Sequence, residues 1–172
     1  MANNKTIHLS LSIKSVRETK KKFLFMKNNL PAVKRLFVER SLDYIEERAR
    51  EYIRSTVGGS SWYVPTGTLE NSWIKNIDSG MLENTCWYAA LVEYGTGIIG
   101  KGTHPDPASD YQYDVNNHGE EGWFFYDQEG NIHWTRGMVA HRFLYDAIND
   151  YYYRGQYKVI FRDVMNELMK GI

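Results

Sequence analysis

WYAALVEYGTG, residues 87–97, decides how the fold is read, together with an earlier stretch, TGTLENSW, at residues 66–73. In the first, Tyr88, Leu91, Val92 and Tyr94 supply packing along a short helical span from Tyr88 to Tyr94, and Gly95 is its stop. Gly95 and Gly97 then provide the backbone freedom needed to leave the core. Glu93 is the odd member, because a carboxylate among apolar neighbours should face solvent or find a cationic partner. In the second stretch, Thr66 precedes a helical turn through Leu69 and Asn71. Thr66 and Gly67 allow a sharp turn, and Leu69 and Trp73 anchor it against a sheet.

Upstream, Val33, Leu36, Phe37, Leu42, Ile45, Ala49, Tyr52 and Ile53 recur at spacings of three and four, which predicts a helix from Pro31 to about Val57. Pro31 suits its first turn, where a missing donor costs nothing, and Gly58 and Gly59 stop it. Arg35 and Glu39, and Glu46 and Arg50, are opposite charges four apart on the other face. The preceding KKKFLFMKNNL reads as a short helix leading to a turn at Asn28 and Asn29, and Thr6 to Ile13 alternates with the period of a half-buried strand.

Downstream, Trp73 to Asp78 and Met81 to Trp87 read as strands joined at Ser79 and Gly80. Gly95 to Gly122 shows little periodicity and reads as a long excursion. A second hairpin pairs Trp123 to Tyr126 with Ile132 to Thr135, and its aromatic strand suits gripping. From about Arg142 to Met169 the pattern is helical, and Gly155 divides two helices or kinks one. The expectation is a single α+β domain over 1–172: a small antiparallel sheet packed by a long N-terminal-half helix and a C-terminal helix, with a strand and basic segment at 1–30 and a variable loop with hairpin at 98–135.

The 172 residues carry 21 basic and 21 acidic side chains, so no overall basic field argues for nucleic acid. The distribution is bipolar. Residues 1–35 hold nine Lys or Arg against Glu18 alone, whereas the stretch between Lys101 and Arg136 has no Lys or Arg and seven acids, Asp106, Asp110, Asp114, Glu120, Glu121, Asp127 and Glu129. Aromatic residues make up 15%, with 13 Tyr, which fits either a partner-facing surface or an aromatic-rich core. The one cysteine, Cys86, forms no intrachain disulfide and reads as buried. No apolar run reaches the ~20 residues of a bilayer span, and the N-terminus lacks a signal-peptide core, so cytosol-like conditions are expected.

Several constellations contain residue types able to carry chemistry. GTGIIGKGT imitates the phosphate-binding G-x-x-x-x-G-K-[ST] pattern with Gly95, Gly100 and Lys101, but Gly102 replaces the hydroxyl residue and Pro105 follows soon after. His104, His118, His133 and His141 with Asp106 and Glu120 lack the spacing of a helical metal motif. Cys86 and Ser72 lack a nucleophile signature. Glu70 and Glu93 make a carboxylate pair only if the fold brings them ~5 to 10 Å apart. The alternatives left open are a small hydrolase using Glu70 or Glu93 with loop histidines, and a nucleic-acid-binding module using residues 14–35.

The two opening stretches together resemble the tail-completion, or head-tail joining, proteins of long-tailed bacteriophages. In that family a long helix leads into T-G-x-L-x-x-S, matched by Thr66, Gly67, Leu69 and Ser72. A hairpin then leads to Y-A-x-x-V-E-[FY]-G-T, matched by Tyr88, Ala89, Val92, Glu93, Tyr94, Gly95 and Thr96. After a variable loop comes a P-F-L-like element, resembled by Arg142, Phe143 and Leu144, with arginine in place of the usual proline. The loop here is also longer, more acidic and more aromatic than is typical.

The resemblance implies a non-enzymatic virion-assembly protein without cofactor, metal, small-molecule substrate or membrane contact. Its place would be the head-tail junction of the virion, after synthesis in the host cytoplasm. Its partners would be the head connector (portal or adaptor) and the tail terminator or tail-tube proteins, with self-association into a ring on assembly. Basic Lys20, Lys21 and Lys22 and an acidic loop on the same chain suit head-to-tail contacts around such a ring. Glu93, Tyr111, Tyr113, Trp123, Phe124 and Phe125 complete the expected partner-binding set, with the aromatic loop ordering on contact.

Overall fold

The structure, a computed structural model, describes residues 12–56, 66–114, 121–127 and 129–170. Helix α1 runs from Ile13 to Thr56, with one break at Asn29, where φ is −120° and ψ is 19°. The predicted turn therefore survives only as a kink. Pro31 removes an amide donor and crowds the turn before it, and Asn29 Nδ2 donates to the Phe25 carbonyl at 3.0 Å. The strand expected over Thr6 to Ile13 lies outside the described residues except for its end, where Ile13 opens α1. The stop expected at Gly58 and Gly59 also lies outside them.

Next come α2 (Thr68–Asn71) and the antiparallel strands β1 (Trp73–Asn76) and β2 (Met81–Asn84), with Trp73 opposite Asn84 and Asn76 opposite Met81. Both strands are shorter than expected, because side chains take over at their ends. Asn76 Oδ1 accepts the Ser79 amide at 3.1 Å inside the turn. Asn84 Nδ2 donates to the Leu69 carbonyl at 2.7 Å, and its Oδ1 accepts the Cys86 amide at 3.0 Å, which turns the chain toward α3 (Ala89–Tyr94).

Helix α4 (Gly97–Gly100) follows, then an antiparallel hairpin of β3 (Trp123–Tyr126) and β4 (Ile132–Thr135), and a two-residue strand β5 (Gly137–Met138). The chain ends in α5 (Phe143–Tyr153) and α6 (Gln156–Met169), divided at Gly155, whose φ of +69° suits glycine. The fold is α+β; β1 with β2 and β3 with β4 form two separate two-stranded sheets, and β5 makes only isolated bridges to Thr96 and Gly97.

Helix α1 supplies residues to both core clusters. Ala49 and Ile53 pack with Leu69, Cys86, Ala89, Val92, Phe143 and Ala147. Val33 packs with Tyr151, Ile160, Val164 and Met165. Ala49 and Ala147 have no exposed surface, and their small side chains suit close approach of α1 and α5.

Polar ties hold the same helices together. Tyr151 Oη donates to Ser41 Oγ at 2.9 Å, and Asp150 accepts from Arg48 at 2.6 Å and from Tyr52 at 3.0 Å. Burial alone would raise the Asp150 carboxyl; the Arg48 and Tyr52 hydrogen bonds and the charges of Arg154 and Arg48 outweigh it and leave the pKa below its ordinary value.

Candidate functional site

The TGTLENSW segment forms a local lock. Gly67 turns the chain at a φ of +76°, and Asn71 Nδ2 donates back to the Gly67 carbonyl at 2.9 Å. Arg50 on α1 donates to Asn71 Oδ1 at 3.0 Å, and Leu69 is buried in the core beside Ala49 and Ile53. Ser72 Oγ donates to the Thr68 carbonyl at 2.7 Å, while Thr66 stays exposed. Of the carboxylates weighed for catalysis, Glu70 accepts from Arg54 Nε at 2.8 Å at the surface.

Glu93 faces inward, contrary to the expectation of a solvent-facing or partner-binding acid, and is only 6% exposed. One of its oxygens accepts the Leu144 amide and the other the Tyr145 amide, both at 2.9 Å. These amides belong to the first turn of α5, whose N-cap residue, Arg142, is left-handed at a φ of +51° and makes no side-chain cap. The carboxylate thus satisfies two orphan donors and sits at the positive end of the helix dipole, which is why it tolerates burial without a cationic partner.

His104, also buried, adds a third contact, with Nε2 3.3 Å from Glu93 Oε1. Its Nδ1 accepts the Asp106 amide at 3.1 Å, so the ring proton belongs on Nε2 and points at the carboxylate. The ring meets Tyr94 and Tyr145 edge-on, with centroids 4.8 and 5.0 Å away.

The excursion after Gly95 is folded through residue 114. Tyr111 donates its hydroxyl to the Gly95 carbonyl and packs on Tyr94, and the Gly97 amide donates to the Tyr113 carbonyl at 2.7 Å. Burial, with Tyr113 and Tyr94 nearby, pushes the Tyr111 phenol up to about 12. Tyr111 and Tyr113 are therefore already placed within the fold, contrary to the expectation that contact with a partner orders them.

The phosphate-loop imitation also has a packing explanation. Thr96 and Gly97 bridge Met138 and Gly137 in antiparallel fashion. A Cβ at Gly97 would lie 2.3 Å from the Arg136 carbonyl oxygen, and one at Gly137 would lie 1.8 Å from that of Thr96. Two backbones meet where a phosphate cradle would have to open.

Of the expected acid-base groups the structure brings together Glu93 and His104, in the buried contact just described, and places the other described ones apart from them. His133 Nε2 is 2.7 Å from Asp127 Oδ2, inside a turn where Asp127 also accepts the amides of Glu129 and Asn131. The His133 contact, with those amides, holds the Asp127 carboxyl well below the usual carboxylate range. Burial lowers the His141 pKa. His118 and Glu120 lie outside the described residues. Among the described residues no three His, Cys, Asp or Glu side chains are grouped to hold a metal ion, and no helix is long and apolar enough to cross a membrane.

The β3–β4 hairpin carries the clearest surface feature. Phe124 pairs with Trp134 and Tyr126 with Ile132, so all four side chains share one face, and their exposures are 67%, 51%, 71% and 60%. Phe124 and Trp134 meet edge to face at 4.6 Å. The opposite face carries Trp123, Phe125, His133 and Thr135, all half-buried.

Of the aromatic residues expected to meet a partner, Phe124 is thus outward-facing while Trp123 and Phe125 are half-buried. Tyr126 belongs to the strand that reads as suited to gripping, although it is not among the expected partner residues, and Ile132 and Trp134 on the facing strand were missed. The signal available was the hairpin register, which places alternate residues of both strands on one face. Lys20, Lys21 and Lys22 are exposed on α1, far along the chain from the hairpin. No family model matches the chain, and neither a curated protein nor a solved structure matches it.

Proposed function

We propose that this chain is a structural protein of phage assembly that joins head to tail, as a ring between the head connector and the tail tube. The observation that carries the reading is the exposed face of Phe124, Tyr126, Ile132 and Trp134, a contiguous apolar patch of the kind that marks an interaction surface. The order of the TGTLENSW and YAALVEYGT segments and their resemblance to head-tail joining proteins add the specific role. The site chemistry described above serves packing: Glu70 is held by Arg54 at the surface, and Glu93, although it meets the loop histidine His104, is buried and accepts the first amides of α5, which argues against the hydrolase alternative.

The test is genetic and visual. Phage lacking this gene should yield, by electron microscopy, full heads and finished tails that remain apart, and purified protein added to the lysate should restore joining. Joined particles in the deletion mutant would exclude the role.

A further inference from the structure

An apolar groove of about 290 Å³ lies between the first half of α1 and α6. Met26, Phe161, Met165 and Met169 are among its walls, and flexible methionines accommodate aromatic rings well. Lys22 and Arg162 also line it, and no acid does among the described residues. The Arg162 head group is well exposed, and its ion-pair partner among the described residues is Asp163 of its own helix, at 3.7 Å.

The hairpin is its chemical complement. Its outer face presents Phe124 and Trp134 as a contiguous aromatic pair, with exposed Glu121 and Glu129 near its two ends and no Lys or Arg between residues 102 and 135. We infer that the Phe124/Trp134 face of one copy seats in the α1–α6 groove of a second copy, with Glu121 and Glu129 meeting Lys22 and Arg162 at the rim. This rests on the assembly reading above and names the contact between neighbours.

The two surfaces differ, so the contact is heterologous and every copy keeps one free hairpin and one free groove until a ring closes. The exposed hairpin face amounts to an area on the order of 500 Å². That falls short of the ~800 Å² per partner of a stable interface. A single contact is therefore weak, and only the closed ring or a template makes assembly persistent.

The experiment uses the purified full chain in low salt, followed by sedimentation velocity up to about 0.5 mM, where even weak contacts are populated. Wild type should grow in mass with concentration. Phe124→Ser with Trp134→Ser removes only the hairpin surface; Lys22→Glu with Arg162→Glu removes only the groove rim. Either pair should weaken association about tenfold or more. Because all four positions are exposed, circular dichroism should show both variants folded. Mixed in equal amounts, the two variants should form dimers and nothing larger, since one intact hairpin and one intact groove remain between them. Adding Glu121→Lys and Glu129→Lys to the rim variant should restore growth.

Wild type that stays monomeric, variants that associate like wild type, or a mixture that stays monomeric would each overturn the inference and leave the two surfaces to other occupants. None of these outcomes bears on whether deletion leaves heads and tails apart, so the contact and the joining role fail separately.

Discussion

Glu93 shows how one residue acquires its meaning from a partner far along the chain. As part of YAALVEYGT it reads as a stray acid, yet its two oxygens take the amides of Leu144 and Tyr145 and thereby begin α5. Arg142 stands just before that helix in a left-handed conformation, where its side chain makes no cap. Glu93→Gln keeps the shape but replaces one acceptor oxygen with a donor that faces an amide. The variant should lose about 2–4 kcal/mol of stability in urea unfolding. A loss under about 0.5 kcal/mol, of the size expected for a surface change, would show that the carboxylate does not hold α5.

Among elements, the crossing of α4 with β5 and the contact of α1 with α5 make separable demands. At the crossing, Gly137 has a φ of +109° and no room for a Cβ, whereas Gly102 has a φ of +78° and open space around it. Gly102→Ala should cost only the left-handed strain, about 1–2 kcal/mol. Gly137→Ala adds a collision with the backbone and should cost more, about 3 kcal/mol or above, by the same unfolding measurement.

At the α1–α5 contact, Asp150 has a pKa below its ordinary 3.8, so the stability it contributes is present above that value and is lost as pH falls through the lower folded one. Asp150→Asn should therefore be less stable than wild type at pH 7. The gap between the two should narrow in unfolding curves taken below about pH 4.

For the whole molecule, charge is sorted by region: basic at the start of α1, acidic from Asp106 to Glu129. Lys20, Lys21 and Lys22 are exposed, and Lys22 also lines the α1–α6 groove. Reversing all three to Glu should leave the fold intact and block the joining of heads to tails. Normal infectious titres from that mutant would remove the basic segment from the mechanism.

Local signals were enough for the elements whose forces are local. The spacing of apolar residues marked the second half of α1, glycine at position 155 marked the interruption that separates α5 from α6, and the turn residues at Ser79–Gly80 and at 128–131 marked both hairpins. Pro31 announced the irregularity that became the kink at Asn29, although not that α1 would continue through it. Helix α4 went unread because a four-residue turn has no period to detect.

What only the tertiary structure decided is who meets whom. Leu144 is 51 residues from Glu93, and Gly137 is 40 positions from the Gly97 it crosses, so neither contact leaves a pattern within a sequence window. The exposed aromatic face and the groove between α1 and α6 are of the same kind. Sequence by itself determined where the second half of α1, the two hairpins and the C-terminal helices would form, because those choices depend on neighbours a few residues away. Burial of a carboxylate, closure of a glycine crossing and exposure of four large side chains depend on distant segments arriving at the same place, and only packing settles that.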